Sequence, residues 1–229
     1  ALAPLLEEVL DAGEDLGPSF FEVTIAAAFL AFSRTPADAC IVEVGLGGRF
    51  DATNILEPDA VAVSGIAALG IDHERFLLAP EDGVPEEPLH RIAFEKAGIL
   101  KKGTPFAVQP LAEDVHAIVD AQAASVGAGP CCDWEAVRTQ NGFEYCDSSG
   151  RLDSLPKPAL PGDYQISNAG LAIAMLRASS IKPSVDAVRA GLQYAVWPAR
   201  MQNFSEGKLG DIDSGFDFWL DGGHNLDAA

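Results

Sequence analysis

With 229 residues, 48% of them apolar and 21% charged, the chain has material for one large domain or two small ones, and nothing in it is compositionally disordered. A formal charge of −19 excludes a broad nucleic-acid or anionic-membrane surface, which needs clustered Lys and Arg; a small polyanion in a locally positive or metal-filled pocket stays possible. Cys40, Cys131, Cys132 and Cys146 make neither a C-x-x-C pair nor zinc spacing, and neither a leader nor a bilayer-length apolar run is visible, so a cytoplasmic protein with free thiols is expected.

Pro4 to Ala12, "PLLEEVLDA", places apolar residues at helical spacing. The turn "GPSFFE" leads into a second helix, Glu22 to Ser33, which is apolar on most faces and therefore expected to be buried. "ACIVEV" at 39–44 and "AVAVSGI" at 60–66 are short, β-branched and almost continuously apolar, the pattern of strands covered on both faces by helices. A helix from Pro88 to Ala97 stopped by Gly98, a strand at "PFAVQ" and a helix over 111–125 continue the alternation. From Cys131 to about Leu160 the texture changes. "CDWEAVRT", "GFEYCDS" and "GRLDSL" alternate, and "QNG" and "SSG" between them favour antiparallel hairpins. Helices at Gln165 to Ala178 and Ser184 to Tyr194 follow, then strand-like runs at 201–205 and 216–220. The predicted class is α/β: a mostly parallel sheet flanked by helices, with a small antiparallel subregion.

In open α/β sheets ligands lie beyond the carboxyl ends of the strands. Glu43 ends one predicted strand, and Asp72-His73 follows the next, so a carboxylate and an imidazole could share one crevice. The plainer alternative pairs Glu43 with Arg49 and leaves His73 capping a loop. "GLGG" at 45–48 could bring backbone amides to an anion or simply turn tightly; it is no Walker loop, since G-x-x-x-x-G-K-[ST] is absent. Lys96 sits in the last turn of its helix, where the dipole alone would favour a lysine. Asn168 near a helix start, "WPAR" at 197–200 and "DGGHN" at 221–225 are weak signals singly, and His90 and His224 read as surface histidines.

Taken in order, "SFFE", "EVGLGGRFDATN", "DH", "IAFEKAGILKKGTP", "NA", "WPAR" and "DGGHN" resemble the folylpolyglutamate synthase / dihydrofolate synthase family of the Mur ligase superfamily. The likeness runs from Ser19 to Asn225, and the stretch 43–54 is its most diagnostic part. The resemblance implies an ATP-dependent ligase adding L-glutamate to dihydropteroate or folate polyglutamates through an acyl-phosphate intermediate. It implies Glu43, His73 and Lys96 as Mg²⁺ ligands, with Lys96 carbamylated and Lys96 and His73 catalytic. Ser19, Phe20, Phe21, Glu22, Phe50, Asp51 and Ala52 would line a pteridine pocket, where aromatic faces and an acid suit a flat heterocycle. Asn168, Arg200, Asp221 and His224 would contact ATP. The partners implied are these small molecules, with neither nucleic acid nor membrane, and the protein would act as a monomer.

Departures from the family pattern shape further expectations. Residues 1–220 would form a central domain whose phosphate loop precedes Ala1, and 221–229 would begin a C-terminal Rossmann-like domain. The 22 residues between His73 and Lys96 are several too many, so "LLAPEDGVPEEPLH" is expected to bulge as a surface loop. Tyr164 stands where the family usually has histidine, and Leu226 where it has proline. A Mur-type ligase for another substrate and a non-catalytic pterin-binding homologue are the competing readings.

Overall fold

The computed structural model describes residues 2–72, 74–204 and 216–223. Helix α1 (Ala3–Ala12) leads through Gly17, which is left-handed at φ 60°, into α2 (Phe20–Arg34). Ser19 starts α2 with a reciprocal cap: its hydroxyl accepts from the Glu22 N–H at 3.3 Å, while its own N–H donates to Glu22 Oε2 at 2.7 Å. Arg34 grips Glu8 with both terminal nitrogens, at 2.9 and 2.6 Å, and holds the two helices together on the surface.

The central sheet has three parallel strands in the order β1 (Ser64–Ile66), β2 (Phe106–Val108) and β3 (Cys131–Cys132), with Ile66 opposite Val108 and Phe106 opposite Cys131. Its period-two alternation assigns the layers. Phe106 and Val108 point into a core with Ile66, with Ala93 and Ala97 of α4 (Pro88–Ala97) and with Val115 and Val119 of α5 (Glu113–Val126). Ala107, between them, points to the other face, into a core with α6 (Gln165–Ala178) and the antiparallel sheet. That second sheet is β4 (Trp134–Arg138), β5 (Gly142–Asp147) and β6 (Gly150–Pro156), with α7 (Val185–Tyr194) beside β6. Trp134 ties it to the central sheet by donating its indole N–H to the Val108 carbonyl at 3.0 Å. A short antiparallel pair, β7 (Gln202–Asn203) with β8 (Trp219–Leu220), ends the described chain. One turn of helix, α3 (Glu74–Leu77), precedes α4.

The predicted class stands, and so do most elements, including both hairpins and the helix stopped by Gly98. Two expectations fail. The run at 39–44 is not a strand: no described strand pairs with it, and Ile41 is 98% exposed. An apolar run becomes a strand only where a neighbouring backbone offers its row of donors and acceptors. Helix α2 is likewise not buried on most faces; Val23 and Ala27 are buried, while Phe20 is 87% exposed. No helix among the described residues is long and apolar enough to cross a membrane.

Candidate functional site

The segment 43–54 folds around one carboxylate. Asp51 Oδ2 accepts from the backbone N–H of Gly45 (3.1 Å) and Leu46 (2.8 Å), and Oδ1 accepts from the N–H (2.9 Å) and hydroxyl (2.5 Å) of Thr53. Four donors fill the acceptor sites of a carboxylate, so Asp51 is satisfied from within its own loop. The Asn54 amide then donates to the carbonyls of Arg49 and Gly98, both at 3.0 Å, and ties the loop to the end of α4.

The crossing of loop and helix is close because both partners offer glycine. A Cβ on Gly48 would stand 2.8 Å from the Glu95 carbonyl oxygen and 3.1 Å from the Lys96 Cα; one on Gly98 would stand 2.6 Å from the Arg49 Cα. At this crossing the Arg49 N–H donates to the Glu95 carbonyl at 2.8 Å. The Arg49 guanidinium lies over the Phe50 and Phe94 rings at 4.2 and 4.9 Å and pairs with Glu95 (3.1 and 2.9 Å) and Glu81 (2.9 and 2.5 Å). Arg91 joins the same two acids, Glu95 at 2.9 Å and Glu81 at 2.8 Å. Glu81 and then Glu95 hold the Arg49 proton more firmly than usual, against the opposing effect of burial. The local pairing of Arg49 with Glu43 is therefore not what forms.

A cavity of about 660 Å³ opens beside this crossing, the size of a small-ligand site. Of the residues expected at a pteridine pocket, Ser19, Phe21, Glu22, Phe50, Asp51 and Ala52 line this cavity. Phe20 does not; it is exposed on the first turn of α2. The Phe21 ring lies directly on Gly45, where an added Cβ would meet its Cζ at 2.2 Å. The Ser19 cap holds the Glu22 carboxyl below its usual range.

Lys96 is half-buried at the end of α4, and burial lowers its ammonium pKa, with Asp72 and then Asp51 opposing. Glu43 is exposed and makes no hydrogen bond or ion pair among the described residues, so its carboxylate is open to a cation. His73 lies outside the described residues, and among those described no three His, Cys, Asp or Glu side chains already form a metal cluster.

The residues expected at ATP fall into two places. Asn168 sits at the carboxyl end of β2, accepting from the Gln109 amide at 2.7 Å and donating to Gln165 at 3.0 Å. Asp221 accepts from the N–H groups of Met201 (2.7 Å) and Gly223 (2.6 Å), which lower its pKa, and Arg200 lies against Gly222. None of these lines the cavity. His224 lies outside the described residues. His90 is a surface histidine, bound to Asp114 at 3.0 Å. What sequence reasoning missed is the Arg49–Arg91–Glu95–Glu81 ring; its signal was the Arg91–Glu95 spacing of four on α4.

Comparison with known proteins places these features in context. No family model matches the chain. The dihydrofolate synthase/folylpolyglutamate synthase of Escherichia coli K12 is 34% identical over 200 residues, covering 87% of this chain and 44% of that protein. E. coli FolC in complex with DHPP and ADP superposes with a TM-score of 0.80 at 30% identity, over 98% of this chain and 49% of that one. A bifunctional folylpolyglutamate synthase/dihydrofolate synthase with Mn, AMPPNP and L-glutamate bound gives 0.77 at 31% identity, over 98% and 49%. The chain spans about half the length of the curated relatives it matches.

Proposed function

The chain belongs to the folylpolyglutamate synthase/dihydrofolate synthase family, and from that membership we propose that it carries the folate-binding and metal-holding part of an ATP-dependent ligase. The ligase joins L-glutamate to dihydropteroate, to folate polyglutamates, or to both. One observation carries the reading: the most diagnostic segment of the sequence, 43–54, forms a wall of a ligand-sized cavity and is pinned against the helix that bears Lys96.

Magnesium and ATP, when bound, supply charge neutralisation and the phosphoryl group that activates the substrate carboxylate. This chain's residues do the rest. Phe21 and Phe50 offer faces to the heterocycle, and Glu22 keeps Oε1 for its ring nitrogens while Oε2 caps α2. Asp51 acts by shaping the loop, its oxygens being engaged by four internal donors. Burial of Lys96 favours the neutral amine that carbamylation requires, and the carbamate would then join Glu43 and His73 around the cation. Asn168, Arg200, Asp221 and His224 would address the nucleotide. The charge of −19 supports small-molecule partners over nucleic acid or an anionic membrane, and the reading keeps the protein a cytoplasmic monomer.

The test is glutamate-dependent ADP release by the full-length protein, with dihydropteroate and tetrahydrofolate as alternative acceptors. Release with either supports the ligase and identifies the acceptor. Pterin binding without release would favour the non-catalytic homologue, and the absence of both release and pterin binding would refute the reading.

A further inference from the structure

By the resemblance, the stretch between His73 and Lys96 is longer than the family pattern, and residues 77–90 were expected to bulge as a surface loop. The structure instead turns part of it inward. Leu77 is buried against Gly47, where an added Cβ would meet its Cδ2 at 2.7 Å. Phe76, Leu77, Ala79, Pro80 and Glu81 form one side of the cavity. The fastening is Glu81. Its carboxylate receives two bonds from Arg49 and one from Arg91, and those guanidiniums are held from behind by Glu95, which is 4% exposed. Two cations and two anions thus close a ring. Arg49, Arg91 and Glu95 belong to the pinned loop and α4; only Glu81 arrives on the segment between α3 and α4.

We propose that residues 76–81 are a wall of the cavity, fastened by Glu81 to Arg49 and Arg91, which sets how long a flat heterocyclic acid stays bound. Glu81 supplies the ionic fastening of this wall, so loosening it frees the side of the cavity that the segment forms. Glu81 is a positioning residue: it acts on the ligand through Phe76, Leu77, Ala79 and Pro80 rather than by receiving the ligand itself. The naming of a pteroate-like ligand rests on the proposed function; the fastening does not.

The experiment uses the full-length protein and compares Glu81→Gln and Glu81→Asp with Glu86→Gln. Glu86 is an exposed acid of the same segment, so the last variant makes the same charge change without breaking the ring. Two quantities are read: amide hydrogen exchange over 76–87 without ligand, and the dissociation rate of dihydropteroate by stopped flow. Both Glu81 variants should exchange faster and release dihydropteroate about fivefold faster, as expected for partly exposed ion pairs, with association little changed. Glu86→Gln should match the wild type. Unchanged exchange in the Glu81 variants, or the same acceleration in Glu86→Gln, would overturn the fastening. Faster exchange with unchanged dissociation would reduce the segment to a structural brace and overturn the wall. Failure of the wild type to bind dihydropteroate would count against the proposed function, while the exchange measurement would still decide the fastening.

Discussion

Gly48→Ala tests the crossing on which the site is built. The new Cβ would stand 2.8 Å from the Glu95 carbonyl oxygen, 3.0 Å from Ile99 Cγ2 and 3.1 Å from the Lys96 Cα. Two of these are backbone of the α4 terminus, which cannot rotate away, so the loop must retreat by about half an ångström to reach ordinary contact. The retreat stretches the 2.8 Å bond from the Arg49 N–H to the Glu95 carbonyl, worth about 1 kcal/mol, and overpacking adds about 1–3 kcal/mol. Stiffening of the unfolded chain returns about 0.5 kcal/mol. The net loss is about 1.5–3.5 kcal/mol, which for a chain of 229 residues lowers the melting temperature by roughly 3–14 °C. Thermal melts followed by circular dichroism measure it. Gly191→Ala is the control: it lies in α7 with nothing within 4 Å of the added Cβ, and should be neutral or slightly stabilising. A Gly48→Ala melt within a degree of the wild type would show that the loop is not seated on α4, and would remove the link between segment 43–54 and Lys96.

Three other outcomes are expected. In the full-length protein Lys96→Ala should nearly abolish glutamate-dependent ADP release at unchanged circular dichroism, with partial restoration by short carboxylic acids; normal turnover would end the carbamate role. Glu43→Gln should raise the Mg²⁺ concentration needed for half-maximal release, and an unshifted metal titration would remove Glu43 from the site. Asp147 tests acid stability. Burial opposes its ionisation, but the Arg177 fork (2.7 and 3.0 Å), Ser149 and Tyr145 outweigh it and hold the carboxyl below its usual value. A carboxyl lowered by folding contributes stability that is complete above its unfolded pKa, about 4, and is lost as pH falls through the lower folded value. Asp147→Asn should therefore melt lower at pH 7 and lose less stability than the wild type below about pH 4; parallel pH profiles would refute this.

What was legible in the sequence was local. "QNG" and "SSG" stand at the two hairpin turns, where the Thr139 N–H meets the Gly142 carbonyl at 2.9 Å and Gly150 takes φ 122°. Phe106, Ala107 and Val108 read as a strand covered on both faces because their alternation supplies two cores. "ACIVEV" carried as strong an apolar signal and failed, since pairing depends on a partner strand that composition does not reveal. The site divided in the same way. Segment 43–54, Phe21 and Lys96 could be found because motif residues lie close in sequence or match a known order. The ion ring could not: Arg49 reaches Glu81 across 32 residues and Glu95 across 46, while Glu43, nearer in sequence, makes no ion pair among the described residues.

The glycines of "GLGG" show how packing settles an ambiguity that sequence leaves open. As a phosphate cradle the loop would direct its amide donors outward. Here the N–H groups of Gly45 and Leu46 turn to Asp51, and that of Arg49 to the Glu95 carbonyl. Each glycine instead clears space for a different neighbour: Gly45 for the Phe21 ring, Gly47 for Leu77 and Gly48 for the end of α4. Helix α2, the end of α3 and helix α4 are thereby gathered onto one short stretch of backbone. A side chain at any of the three would push one wall of the cavity away from the others. The loop thus acts as the common footing of the pocket, with the amides of Gly45, Leu46 and Arg49 spent on holding it together.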